Sequence, residues 1–205
     1  KLMAEHPEVN AQLLVCGASI GANAKVSKLV QLEAQAAHEW IVMSDADVLV
    51  PEDLLANLVP CLQEGKAGLV CCFYRLARPA TIAMRWEAVA INADFWSQVL
   101  QAQSLKPLNF ALGAVMATTR QRLERIGGLA VLKDYLADDF QLGRRIAKQN
   151  ARIVLSPVVV ECWSPPLSWR EVWRHQLRWA RPLRICRPAP YFFSILSNAT
   201  LWPLL

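Results

Sequence analysis

The sequence predicts an α/β fold. Short apolar runs alternate with amphipathic stretches along the whole chain, and no repeat or low-complexity segment interrupts them. With 205 residues, 54% hydrophobic and 19% charged, the chain can bury a core without staples, and its composition excludes intrinsic disorder. No linker splits it, so one catalytic-size unit is expected over residues 1–167, followed by a basic helix over 168–187 and an apolar stretch over 188–205.

Residues 12–16 read as a strand that ends in the turn Gly17-Ala18-Ser19-Ile20-Gly21. Residues 25–38 form a helix with Val26, Leu29, Val30, Leu32 and Ala36 on its apolar side. Residues 40–43 are a buried strand ending at Ser44-Asp45-Ala46-Asp47. Pro51-Glu52-Asp53 opens the next helix, with proline in the first turn and acids near the positive end of the dipole. A second buried strand covers 67–73, a helix 83–100, a strand 112–118, and a short helix 120–125 that Gly127-Gly128 ends. A helix over 138–149 and a strand over 152–155 complete the pattern.

Net charge is +5, and its distribution says more than its sum. Residues 163–187 hold six Arg and one Glu, so the whole excess sits on one late segment where an anionic partner would be met. The six cysteines show no Cys-x-x-Cys pair or zinc-finger spacing and read as reduced, mostly buried thiols, as in a cytosolic protein. No signal peptide is legible, and the first residue is Lys1, so the chain is expected to be a piece of a longer one. Residues 188–205 carry no charge, but a spanning helix needs about 20 apolar residues, and Pro190 and Pro203 interrupt this run. It reads as the start of a membrane segment, an interfacial segment or an ordinary apolar end.

Chemistry is expected at three places. Asp45 and Asp47 follow a strand, where ligands of open α/β sheets bind, and can converge on one hard cation, Mg²⁺ or Mn²⁺, shared with phosphate oxygens; the plain alternative is a solvated turn. Asp138-Asp139 opens a helix, so one acid can cap it while the other faces a pocket as a base; a cap alone needs only one. In Ser168–Arg181, SWREVWRHQLRWAR, the residues Arg170, Arg174, Arg178 and Arg181 fall on one narrow helical stripe beside Trp169, Trp173 and Trp179. Such a stripe suits a diphosphate, anionic headgroups or nucleic acid, or is a solvated face with snorkelling Arg. Pro182 is expected to end or kink that helix.

The order Gly21-Ala-Asn23-Ala-Lys25-Val26, Ser44-Asp45-Ala46-Asp47, Gly113, Gly127-Gly128, Tyr135-Leu-Ala-Asp138-Asp139-Phe140 and Arg178-Trp179 resembles ceramide glucosyltransferases and the similar bacterial hopanoid-type glycosyltransferases. Both lie in the inverting GT-A-fold group, and the likeness covers roughly residues 12–185. The resemblance implies a GT-A glycosyltransferase with a Rossmann-like mixed sheet. It implies that Asn23 and Lys25 lie near the nucleotide and that Asp45 and Asp47 hold ribose and metal-diphosphate. Gly113 would border the acceptor, Asp139 would be the catalytic base with Asp138 before it, and Arg178 and Trp179 would pack at the diphosphate and acceptor entrance. His175 stands where the family has Gln or Arg, and neutral His lacks the two-pronged donor set of Arg. The family's early strand, with its first nucleotide-binding Asp, has no counterpart before Gln12.

The activity expected is inverting transfer of a hexose from a UDP-sugar to a lipid hydroxyl, ceramide first and a hopanoid-like acceptor with UDP-N-acetylglucosamine second. The protein would be membrane-associated with its site facing the cytosol, and nucleic acid is not expected as a partner. Two other classes fit single features. A haloacid-dehalogenase-type phosphatase would use Asp45 as nucleophile, although Val48 and Leu49 depart from its usual motif; a non-enzymatic anion- or membrane-binding module would need only the basic helix.

Overall fold

A computed structural model describes residues 2–63 and 67–194. In chain order the elements are α1 (Leu2–Glu5), α2 (Ala24–Gln35), β1 (Trp40–Ser44), β2 (Val48–Leu49), α3 (Leu54–Gln63), β3 (Ala67–Leu76) and α4 (Ile82–Val89). A π-helical stretch (Ala90–Phe95) runs from α4 into α5 (Trp96–Leu105), followed by β4 (Val115–Thr119), α6 (Arg120–Ile126) and a 3-10 turn (Leu129–Leu132). The last elements are α7 (Asp138–Ala147), β5 (Arg152–Cys162), α8 (Trp169–Cys186) and α9 (Pro188–Phe193).

The strands form one five-stranded sheet in the order β1-β4-β3-β5-β2. The central pair β3 and β5 is parallel, and the other pairs are antiparallel. Strand β3 is apolar on both faces because both are covered. Leu69, Cys71 and Phe73 meet Val26, Leu123, Leu129, Leu142 and Ile146 from the α2, α6 and α7 side. Val70 and Cys72, of opposite parity, meet Leu54, Leu58 and Leu62 of α3. Thr119 caps α6 through Arg122 N–H, and Gly127 ends that helix at φ 90°, a left-handed conformation that glycine adopts without strain.

Three sequence expectations are corrected. Residues 12–16 are not a strand: no partner strand pairs with them, and Leu13 and Val15 are exposed at 83% and 88%, so the run has no sheet to cover its apolar side chains. Strand β1 is half-buried rather than buried, because it lies at an edge and only Ile41 and Met43 face the core. Strand β5 continues past Pro157, where the sequence stopped it; its register against β3 shifts there, and the exposed proline sits in the irregularity while Val158 and Val160 return to the core. At Pro182, where an end or a kink was expected, helix α8 does not end but runs on to Cys186.

The helix expected over 83–100 forms, but with a wider turn in its middle. That turn aims Asn92 at the end of β3, where its side chain accepts from Leu76 N–H and donates to Leu76 C=O at 2.9 and 3.2 Å. It also lays Phe95 and Trp96 against Tyr74, the Trp96 indole N–H donating to Tyr74 C=O at 2.8 Å. All six cysteines are free thiols. Among the described residues no helix is long and apolar enough to cross a membrane, and residues 195–205 of the apolar stretch lie outside the description.

Candidate active site

The site forms where the start of α2, the end of β1 and the start of α7 meet. Asn23 caps α2: its side-chain oxygen accepts from Val26 N–H at 3.1 Å, satisfying a backbone donor that the first helical turn leaves open. The other end of the same amide donates to Tyr135 C=O at 2.7 Å and to Asp138 Oδ1 at 3.3 Å. The backbone follows suit, with Asn23 N–H on Lys133 C=O and Ala22 N–H on Asp134 Oδ1. One residue therefore starts a helix and ties it to a segment more than a hundred positions later.

Lys25, in the first turn of α2, reaches across the gap to Asp45 Oδ1 at 2.5 Å and to Asp138 Oδ2 at 3.9 Å. Burial alone would lower its pKa, but the carboxylates of Asp45, Asp138 and Asp139 outweigh this and hold the ammonium above its ordinary range. Asp138 is buried because it lies on the same stripe of α7 as Leu142 and Ile146. The expectation that one of the paired acids caps this helix is corrected: Ala137 is the N-cap residue and caps with no side chain. Asp139 Oδ1 accepts from the N–H of Phe140 instead, and Asp138 turns to Asn23 and Lys25.

Asp139 is the most perturbed carboxyl of the group. Burial, then the charge of Asp138, pushes it up to about 6. Gly113 lies directly against it: a methyl there would stand 2.8 Å from Asp139 Oδ2, so the chain passes this carboxylate only without a side chain. The next residue, Ala114, accepts from Asp45 N–H at 3.0 Å, which places Gly113 between the two acidic segments. Beneath them lie the Cys71 thiol, pushed up to about 12 by burial, and the Tyr74 hydroxyl, raised by burial and by the nearby Asp139.

Asp47 is exposed, and its backbone is fixed from the other edge of the sheet: Trp163 N–H donates to Asp47 C=O at 2.9 Å, and β2 then pairs with β5. The Asp47 and Asp45 charges raise the pKa of the Cys162 thiol, after burial, to about 12. Two clefts are lined by residues outside the cluster. One, of about 460 Å³, is lined by Arg75, Arg78, Asn92 and Glu161. The other, of about 340 Å³, lies beside Phe140 and is lined by Lys106, Arg144, Cys186 and Arg187.

Helix α8 rims the site through its rings. Trp179 meets Tyr74 edge-on at 6.2 Å and His175 at 4.3 Å. Ser168 and Glu171 close a capping box at its start. Arg170, Arg174, Arg178 and Arg181 are exposed and make no ion pair among the described residues.

Of the residues singled out in the sequence, Asn23, Lys25, Asp45, Asp138, Asp139 and Gly113 come together, and Asp47 stands at their edge. Trp179 joins through Tyr74, whereas no contact brings Arg178 to the carboxylates. His175 turns toward Glu87 of α4. Tyr74, Glu87 and the cations Lys106, Arg144 and Arg187 were not read from the sequence. Glu87 carried a signal: it shares one helical face with Ala83, Met84 and Ala88, all buried, and an acid on an apolar face needs a partner.

A five-stranded mixed sheet with helices on both faces and this carboxylate cluster beyond β1 has a GT-A-like glycosyltransferase fold. The profile of glycosyl transferase family 21 matches residues 1–205. A relative, Ceramide glucosyltransferase 3 of Caenorhabditis elegans, is 22% identical over 160 residues, which is 76% of this chain and 34% of that protein. The chain belongs to glycosyl transferase family 21, the ceramide glucosyltransferase family, and spans about a third of the length of this relative. Membership of this family replaces the phosphatase family as the reading of the chain.

Proposed function

We propose that the protein transfers a hexose from a UDP-sugar to the hydroxyl of a membrane lipid with inversion, ceramide and UDP-glucose being the favoured pair. The observation that carries this reading is the Lys25 bridge, which joins the strand-end Asp45 to the helix-start Asp138 beside Asp139. A donor lying across the strand ends has its nucleotide by Asn23 and Lys25 and its diphosphate by Asp47. Asp139, ionised at neutral pH yet close enough to it to take a proton, accepts the proton of the lipid hydroxyl. That oxygen attacks the anomeric carbon from the face opposite UDP. Arg178, exposed and without an ion pair among the described residues, one position before Trp179, is suited to offset charge on the departing UDP.

The acidic pair fits a divalent cation in part. Asp47 is exposed, and Asp45 is already shared with Lys25. Among the described residues no three His, Cys, Asp or Glu side chains converge as a closed metal cage, which suits a cation that takes its remaining oxygens from substrate phosphates and water. Mg²⁺ or Mn²⁺ held by Asp47 and Asp45 would supply charge neutralisation at the diphosphate.

Membrane association, the site facing the cytosol in this reading, draws its support from the outer faces of α4 and α8, which bear on the association alone. Ile82, Trp86, Trp169 and Trp173 are 72%, 46%, 57% and 59% exposed, with Trp86 and Trp169 in ring contact at 6.1 Å and the arginine stripe alongside. Large amphipathic rings mixed with arginine suit a headgroup layer, and a lipid acceptor would enter there sideways.

The experiment is a calorimetric titration of UDP-glucose, UDP-N-acetylglucosamine and UDP, each with and without Mn²⁺. Saturable binding that strengthens with Mn²⁺ and loses that gain in Asp47→Ala is expected. Absence of binding by all three nucleotides would remove the reading. Tighter binding of UDP-N-acetylglucosamine than of UDP-glucose would favour the hopanoid-type branch.

A further inference from the structure

Glu87 is an acid on an apolar helix face, 3% exposed, and neither the motif order read in the sequence nor the carboxylate cluster accounts for it. Its neighbours on α4, Ala83 and Met84, pack against Val172 of α8, and Thr81 donates to Leu167 C=O at 2.7 Å, so the two helices are joined along one seam. In the middle of that seam both partners of Glu87 come from consecutive α8 residues. His175 Nδ1 meets Glu87 Oε1 at 2.7 Å, and the Gln176 side-chain N–H₂ donates to the same oxygen at 2.8 Å. A buried carboxylate left without donors is costly, so these two side chains are held where Glu87 needs them.

The consequence runs outward from His175. Its ring lies 4.3 Å from that of Trp179, one turn further along α8, and Trp179 meets Tyr74, a residue of β3 near Asp139. With Nδ1 given to Glu87, His175 has one ring nitrogen left, so this site cannot present the paired donors that an Arg would offer a diphosphate. We infer that Glu87 is a positioning residue for glycosyl transfer: by accepting from His175 it fixes the His175 ring and through it sets Trp179 against Tyr74 at the acceptor side of Asp139. Glu87 touches no reacting atom; it acts through His175 and Trp179. The acceptor oxygen is what counts, so an amide oxygen at the same place serves and an apolar side chain of similar size does not.

This inference rests on the glycosyl-transfer reading, and titration of the wild-type chain with UDP reports on that reading separately. The test uses Glu87→Leu, Glu87→Gln, His175→Leu and the double variant Glu87→Leu/His175→Leu. Each is assayed for thermal midpoint, UDP affinity and turnover, and by ¹⁹F NMR with fluorotryptophan, the Trp179 signal being assigned with Trp179→Phe. Glu87→Leu is expected to move the Trp179 resonance and to lower kcat about tenfold or more while UDP affinity stays within about twofold. Glu87→Gln is expected to restore both signal and turnover, and the double variant to be no worse than either single leucine. An unmoved Trp179 resonance in Glu87→Leu overturns the inference whether or not UDP binds. So does a fall in kcat matched by lost UDP affinity and a lower midpoint, which would make the contact merely structural, or additive losses in the double variant.

Discussion

The two sides of the site are held in opposite ways. The acidic side is knitted from segments far apart in the chain, with Asn23, Lys25, Asp45 and Asp138 each bonded to at least one other. The α8 side is one helix, fastened at Glu87 and by ring contacts, and its four stripe arginines are exposed and make no ion pair among the described residues. On the proposed function, the difference would separate two tasks. Charges around a reacting carbon would be fixed before substrate arrives, at a cost in burial that neighbouring charges offset. Charges that would meet a headgroup or a departing anion are left without an ion pair among the described residues, and a guanidinium not committed to a carboxylate has more to offer a ligand.

The sharpest way to break this comparison is at Asp139. Asp139→Asn keeps the shape and the acceptor for Phe140 N–H but cannot take a proton, so turnover is expected to fall by about 10²–10⁴ while UDP binding is kept. The wild-type rate against pH should show an acid limb near the carboxyl's value of about 6. Equal turnover of the two proteins would remove Asp139 as base.

A smaller effect belongs to the other side. Replacing Arg170, Arg174 and Arg181 together by Gln should weaken binding to vesicles rich in anionic lipid by about a hundredfold, at roughly 1 kcal/mol for each charge near the surface. UDP affinity should stay as it was. Vesicle binding that ignores these substitutions would strip the stripe of its membrane role.

The smallest effect is on stability. The folded carboxyl of Asp139 titrates at about 6 against an ordinary 3.8, so the native state holds more protons between those values and its stability falls as pH rises through that window. Asp139→Asn should therefore be more stable than wild type above about pH 6, by on the order of 1–3 kcal/mol, with the gap closing below about pH 4. Denaturant midpoints of the two proteins at pH 4 and pH 8 measure it.

Much of the sheet and the acidic side could be read from residue patterns, for a physical reason. Strand β3 is a continuous apolar run because both its faces are covered, and the Asp pairs mark a strand end and a helix start by local chemistry. What pattern missed was tertiary. Residues 12–16 have the composition of a strand but no neighbour to pair with, and β5 outlives Pro157 because β3 continues beside it. Tyr74 lay just past the apolar strand read over 67–73, and its place near Asp139 is set by Phe95 and Trp96 from one later stretch and Trp179 from another. The Arg178 expectation came from a motif, and a motif does not say which way an exposed side chain turns.

The wide turn at Ala90–Phe95 carries one residue more than an α-helix would need for the same sweep. Six residues at the wider period turn through roughly as much as five at about 100° each, so deleting one of them would rewind the stretch and leave α5 facing as it does. What such a deletion would take away is the placement of Asn92, whose amide copies a strand's pairing groups at Leu76. The surplus residue thus finishes the end of β3 without redirecting the helix that follows.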